Sequence, residues 1–130
     1  MASIRQEIQV AASAEKIWDA VRDVGAIHRR LVPGFVTDCR LEGDTRVVSF
    51  GNGLVVRELI VDCDEAARRL AWSASGGRLS HYNASLQVIA EDGGHSRLVW
   101  IADLMPHEMK APIAAMISEG MQAMKRTLEA

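Results

Sequence analysis

The segment GNGLVVRELIVDCDEAARRLAWSA, residues 51–74, decides how the rest of the chain is read. It divides into two runs rich in β-branched and aliphatic residues, 54–63 and 68–74, on either side of the polar turn 64–67. That is the pattern of two antiparallel strands joined by a short connection. One residue departs from it. Glu58 places a carboxylate in the middle of an otherwise apolar strand, and the direction it points separates a plain container from a candidate enzyme.

The same strand character extends both ways along the chain. Residues 35–41 and 45–50 are divided by the turn EGD at 42–44, and GNG at 51–53 joins 45–50 to 54–63. Beyond 74, SGGR at 75–78 and EDGG at 91–94 separate the runs 68–74, 80–90 and 95–104. A first strand, 4–10, carries Ile4, Ile8 and Val10 on one face by period-two alternation. Seven strands result, the last six in consecutive hairpins, which makes an antiparallel sheet the economical arrangement.

Helices fill the remaining segments. Residues 14–24 follow Ser13, a good N-cap, and set Ile17, Trp18, Val21 and Val24 on one face before Gly25 stops the helix. A second short helix, 26–32, ends at Pro33, because the residue before a proline disfavours the helical region. The chain closes with 111–130. There Pro112 suits a first turn, and Ile113, Met116, Ile117, Gly120, Met121, Met124 and Leu128 recur at helical spacing. A curved sheet and one long amphipathic helix hide their apolar faces together if the sheet wraps the helix. The expected class is α+β, a seven-stranded curved antiparallel sheet around a long C-terminal helix with two short helices after strand 1. It is expected as a single ligand-binding domain over residues 1–130.

Composition removes several function classes. Lys and Arg number 15 against 17 Asp and Glu, for a net charge of −2, and no basic stripe exists to displace phosphate counterions, so no nucleic-acid partner is expected. The opening MASIRQEIQV lacks the apolar core of a secretory signal, and APIAAMI is far too short for the roughly 20 residues of a membrane span. The expectation is a cytoplasmic protein without stable membrane insertion, with Cys39 and Cys63 as reduced thiols. His107 and Glu108 do not begin an HExxH motif, since Ala111 stands where the second histidine belongs. With no phosphate-cradling loop or dinucleotide fingerprint, neither metal nor cofactor is expected.

Hairpin turns fix register, so residue numbers add across neighbouring strands. The GNG turn sets Phe50 opposite Leu54, Val48 opposite Val56 and Arg46 opposite Glu58. EDGG sets Val88 opposite Leu98, Leu86 opposite Trp100 and Ala84 opposite Ala102, and SGGR brings Ala74 near Tyr82 and Trp72 near Ala84. One face then holds Val48, Val56, Glu58, Trp72, Tyr82, Leu86, Leu98 and Trp100; the other holds Arg57, His81, Asn83, Gln87, Arg97 and Asp103. Glu58 therefore points inward. A buried carboxylate needs a partner, and directly opposed cross-strand residues stand about 5 Å apart at Cβ. Arg46 meets that requirement, so a satisfied ion pair is the leading reading of Glu58, with a general acid/base role as the alternative.

This layout resembles the START/birch-allergen (SRPBCC) superfamily, and within it the polyketide cyclase/dehydrase-like bacterial branch. The matching stretches are SAEKIWDAVRDV after the first strand, the PG after the second helix, LEGD followed by TRVVSF, and VVRELIVDCDEAARRLAW. YNASLQV and SRLVWIADL match as well, before the closing helix. The resemblance covers nearly the whole chain. It implies a helix-grip fold with an elongated apolar cavity between sheet and C-terminal helix, and members that bind lipids, polyketides and other hydrophobic molecules. Some members are aromatase/cyclases and some activate a chaperone ATPase.

The leading functional expectation is binding of a hydrophobic small molecule in that cavity, of a size roughly 300–1,000 Å³. The expected ligand-binding residues are Arg46, Val48, Val56, Trp72, Tyr82, Leu86 and Trp100 on the sheet, with Met109, Met116 and Gly120 from the helical side. Met124 is expected in the core. Methionines suit an adaptable wall, and a mid-helix glycine costs about 1 kcal/mol against alanine, a sign of close approach or of room left for a ligand. The enzymatic alternative is a cyclase or dehydratase with Glu58 as acid/base and Arg46 and Tyr82 orienting a substrate oxygen. A third reading is a partner-regulating module using an outward apolar patch of Val47, Val55, Leu59 and Val61. The oligomeric state under these readings is a monomer or a homodimer.

Overall fold

Hairpin after hairpin builds the sheet, and one long-range pairing completes it. In the computed structural model, which describes residues 1–130, the elements are β1 (Ala2–Val10), α1 (Ala14–Arg22), α2 (Ile27–Arg30), β2 (Val36–Glu42), β3 (Thr45–Phe50) and β4 (Val55–Asp64). They continue as β5 (Arg69–Ser75), β6 (His81–Ala90), β7 (Ser96–Met105) and α3 (Lys110–Glu129). The strand order is β1-β7-β6-β5-β4-β3-β2, all neighbours antiparallel. β1 and β2, adjacent in sequence apart from the two short helices, therefore form opposite edges of the sheet.

The expected registers are those observed. Arg46 pairs with Glu58 and Val48 with Val56, Trp72 with Ala84, and Leu86 with Trp100 and Val88 with Leu98. Boundaries move by one or two residues for local reasons. α1 ends at Arg22, short of Gly25, and the Asp23 carboxylate beyond it accepts a hydrogen bond from Arg30 Nη1 at 2.9 Å. β5 begins at Arg69 because Arg68 adopts a left-handed conformation, φ 51°, that closes the preceding turn. A single 3₁₀ turn, His107–Met109, leads into α3.

α3 is pinned against β1 along its length. Gln6 Nε2 donates to the Ala114 carbonyl at 3.0 Å, Lys125 Nζ to the Gln9 carbonyl at 2.7 Å, and Lys16 Nζ to the Leu128 carbonyl at 3.0 Å near the helix end. Its buried face, with Ile117, Met121, Met124 and Leu128, joins the concave face of the sheet in one apolar core. α1 is tied to the β4–β5 hairpin from the side: Glu65 accepts from Trp18 Nε1 at 2.7 Å and from Arg22 Nε at 2.9 Å. The Trp18 hydrogen bond first, and then the Arg22 guanidinium, hold that exposed carboxyl below its usual range.

Two expectations change. Val47, assigned to an exposed outer patch, is buried; it pairs with Arg40 and Arg57, whose long side chains both reach Glu42 across the outer face. Val55, Leu59 and Val61 do remain exposed. Gly120 sits against the sheet side of the core, where an added Cβ would lie 3.1 Å from the Trp100 ring and 3.2 Å from Phe35. Of the two readings of that glycine, the structure displays the close approach.

Gly51 is the tightest such position. Its N–H donates to the Phe35 carbonyl at 2.9 Å, and an added Cβ would meet the Gly34 carbonyl oxygen at 2.6 Å. Backbone cannot yield as a side chain does, so Gly51→Ala is expected to cost about 1–3 kcal/mol in urea denaturation. An unshifted midpoint would contradict the assigned contact.

Candidate ligand-binding cavity

The concave side of the sheet is wider than one helix can cover, and the uncovered part holds a cavity of about 120 Å³. Its floor is central sheet: Arg46, Val48 and Phe50 from β3, Val56 and Glu58 from β4, Leu70, Trp72 and Ala74 from β5. Tyr82, Leu86 and Trp100 continue the floor onto β6 and β7. The roof comes from α3, through Ile113, Met116, Ile117 and Met124, and from the α1–α2 region, through Val21, Ile27, Leu31 and Val32. Phe35, Leu54 and Leu79 from three connecting segments, with Val36 at the start of β2, complete the wall. Phe35 packs edge-on against Phe50, ring centroids 5.4 Å apart.

Eight of the residues singled out from the sequence thus meet in one place: Arg46, Val48, Val56, Glu58, Trp72, Tyr82, Leu86 and Trp100. Met116 joins them from α3. Met109 and Gly120 do not line the cavity. Met109 packs at the margin of the core in the turn before α3, and Gly120 is covered by Trp100 and Phe35. Met124, assigned to the core, is buried and also reaches the wall. His28 lies off the cavity, half-buried, with Nδ1 sealed and without a hydrogen-bond partner. Phe50 and Leu54 went unassigned although they share the parity of Val48 and Val56 across the same turn. Phe35 and Leu79 carry no such signal, because they stand outside the paired strands.

The polar end of the cavity is built on the predicted pair. Arg46 Nε donates to Glu58 Oε1 at 2.7 Å, with side chains only 5% and 11% exposed. Arg46 Nη1 reaches the Val24 carbonyl at 3.5 Å, and the guanidinium carbon stands 5.3 Å from the centre of the Trp72 ring. Trp72 in turn packs edge-on against Trp100, centroids 5.7 Å apart. The guanidinium is therefore fixed by an anion, a carbonyl and an aromatic face at once. Arg46 Nη2 and Glu58 Oε2 have no protein hydrogen-bond partner.

Two more polar groups border the same end. Trp100 Nε1 is buried without a partner of hydrogen-bond geometry, although it lies close enough to the Tyr82 oxygen to influence its ionisation. Burial, and then the negative charge of Glu58, push the Tyr82 phenol far above its ordinary value. Tyr82 is thus a neutral donor and acceptor, never a phenolate under ordinary conditions. Cys39 lies behind the pair, its Sγ 3.5 Å from the Val24 carbonyl, and burial pushes its thiol up as well. No group of three or more His, Cys, Asp or Glu side chains is placed to hold a metal ion, and no helix is long and apolar enough to cross a membrane.

Residues 1–129 match the family described as polyketide cyclase/dehydrase and lipid transport. The chain belongs to that family. No curated protein matches it in sequence. Among solved structures, an uncharacterized protein from Bacillus thuringiensis superposes with a TM-score of 0.88 at 16% identity, covering 98% of each chain. A START superfamily protein from Mycobacterium smegmatis gives a TM-score of 0.74 at 15% identity, covering 98% of this chain and 94% of its own. Norcoclaurine synthase from Thalictrum flavum, in complex with dopamine and hydroxybenzaldehyde, gives 0.71 at 19% identity, covering 96% and 84%. The helix-grip architecture of the START and birch-allergen proteins is therefore the fold of this chain.

Two measurements test the polar end. Glu58→Leu alone leaves a buried guanidinium uncompensated and is expected to cost about 3–5 kcal/mol, whereas Arg46→Met with Glu58→Leu recovers most of that loss. Additive losses in the denaturation cycle would show that the two side chains do not act as a pair. Tyr82 is the only tyrosine, so ultraviolet absorbance follows its ionisation without ambiguity. Its folded value is raised, so the stability it contributes is full below the unfolded value of about 10 and is lost as pH rises through the folded one. The expected titration shows no tyrosinate near pH 10 in the native protein, appearing only with unfolding. A native transition at pH 10 would place the phenol in water.

Proposed function

We propose that this protein binds a small hydrophobic molecule in the cavity between the central strands and α3. The observation that carries this reading is the wall itself. All but two of the 23 lining residues are hydrophobic, and the two exceptions, Arg46 and Glu58, compensate one another. A filled core would have closed on this space, since interiors pack to the density of organic crystals. The family's description as cyclases, dehydrases and lipid transporters supports a hydrophobic cargo or substrate. So does the occupancy of the same fold by dopamine and hydroxybenzaldehyde in norcoclaurine synthase.

At about 120 Å³ the cavity is smaller than the drug-sized volume expected from the sequence. Part of the difference lies with Phe35 and Leu79, which line it from segments whose placement periodicity does not reach. Cavities of about 150 Å³ lined by aliphatic and aromatic side chains hold a benzene. A ligand of one ring buries roughly 100–150 Å² of apolar surface, about 3–4 kcal/mol gross, so shape alone supports affinities near millimolar. Tighter binding draws on the polar end.

A second reading is favoured by that polar end: a cyclase or dehydratase in which Glu58 Oε2 handles a proton while neutral Tyr82 donates to a carbonyl oxygen. Against it, Glu58 Oε1 is already engaged at 2.7 Å by Arg46, and an ion-paired carboxylate is a poor general base.

The test is saturable binding. Toluene and benzene are expected to raise the melting temperature in a concentration-dependent way, and Val56→Trp, which fills the cavity from β4, is expected to weaken them at least tenfold while remaining folded. Equal binding by the filled variant would move the site elsewhere. Glu58→Gln then separates the two readings, since a catalyst loses turnover of a carbonyl substrate while keeping affinity for it.

A further inference from the structure

The polar end of the cavity has a property that the apolar wall alone would not have: it is charged but sums to zero. Arg46 and Glu58 are the only ionisable groups on the wall apart from Tyr82, which is held neutral. Their mutual contact uses Nε and Oε1, and Nη1 turns to the Val24 carbonyl. What remains unused on these two lining residues is one donor group, Nη2, and one acceptor, Oε2. The Tyr82 hydroxyl, able to do either, and the unpartnered Trp100 N–H border the same end.

From this we propose that the cavity selects a neutral, single-ring-sized amphiphile whose head group presents an acceptor next to a donor, as a primary carboxamide does. This deepens the cavity-binding reading above and rests on it. The acceptor of such a head faces Arg46 Nη2 or the Tyr82 hydroxyl, and its donor faces Glu58 Oε2. No charge is left over. A carboxylate in the same place faces Glu58 Oε2 with the only cation already engaged, and an ammonium faces Arg46 with the only anion engaged. Either brings a third charge into an apolar enclosure, where an uncompensated ion is strongly disfavoured. The pair thus excludes ionised fatty or aromatic acids of the same shape, and the cavity volume of about 120 Å³ excludes multi-ring bodies. A purely hydrocarbon ring is accepted but leaves the donor and acceptor unsatisfied.

Four probes of one shape separate these cases: toluene, benzamide, benzoate and benzylamine, titrated into the full chain at pH 7 and followed by amide chemical shifts. Benzamide is expected to bind at least tenfold more tightly than benzoate or benzylamine, and several-fold more tightly than toluene. Val56→Trp is expected to abolish its shifts. In Glu58→Gln the retained guanidinium carries an unbalanced positive charge, so benzoate is expected to gain at least tenfold relative to benzamide. The wild-type ranking stands as a test even where that variant does not fold. If toluene saturates the cavity while benzoate or benzylamine equals benzamide, the head-group selection is wrong and the cavity reading stands. If no probe saturates, toluene included, both fall together.

Discussion

A sheet of seven antiparallel strands is too wide for one helix to cover. Six inter-strand spacings of about 4.8 Å make it roughly 29 Å across, whereas a helix with its side chains spans about 10–12 Å. α3 is anchored near the β1 edge by Gln6, by the Gln9 carbonyl and by Lys16. The concave face toward β2 is left to α1, α2 and the segments that follow them. Those elements are short, and their side chains meet the helix across a gap. The cavity follows from that mismatch of widths: it lies between the central strands below and α3 with the α1–α2 region above.

The same mismatch explains why an ion pair is tolerated there. β3 and β4 lie toward the less covered edge, and their inward side chains Arg46, Val48, Val56 and Glu58 line the cavity. A fully packed position would require every remaining lone pair and proton of Arg46 and Glu58 to find a protein partner. Here the charges meet each other across the hairpin, Trp72 covers the guanidinium, and both residues line the cavity. Such a pair is weak evidence of a gain in stability, because hydrophobic replacements of a buried pair are often neutral or stabilising.

The sheet was legible because its turns are strong signals and period-two alternation carries parity from one strand to the next. Once GNG and EDGG are placed, Arg46 must oppose Glu58 and Leu86 must oppose Trp100, and both pairings are found. The strand-borne part of the cavity wall followed from the same parity. Errors gathered where that logic has no purchase. Val47 has the outward parity expected of it, but Arg40 and Arg57 on the flanking strands cover it. Phe35, Leu79 and Met109 belong to connections, whose course depends on what they pack against.

By itself, then, the sequence determined the class of fold, the order and register of the strands, and the inward direction of Glu58 with its partner. All of these rest on local turn chemistry and on pairing across single hairpins. Only the tertiary structure decided how much space remains between sheet and helix, which of the α3 methionines reach it, and that Phe35 closes against Gly120. Those outcomes turn on the separation of elements far apart in the chain. A shift of one or two ångströms there opens or closes a cavity of this size without altering a single residue's secondary structure.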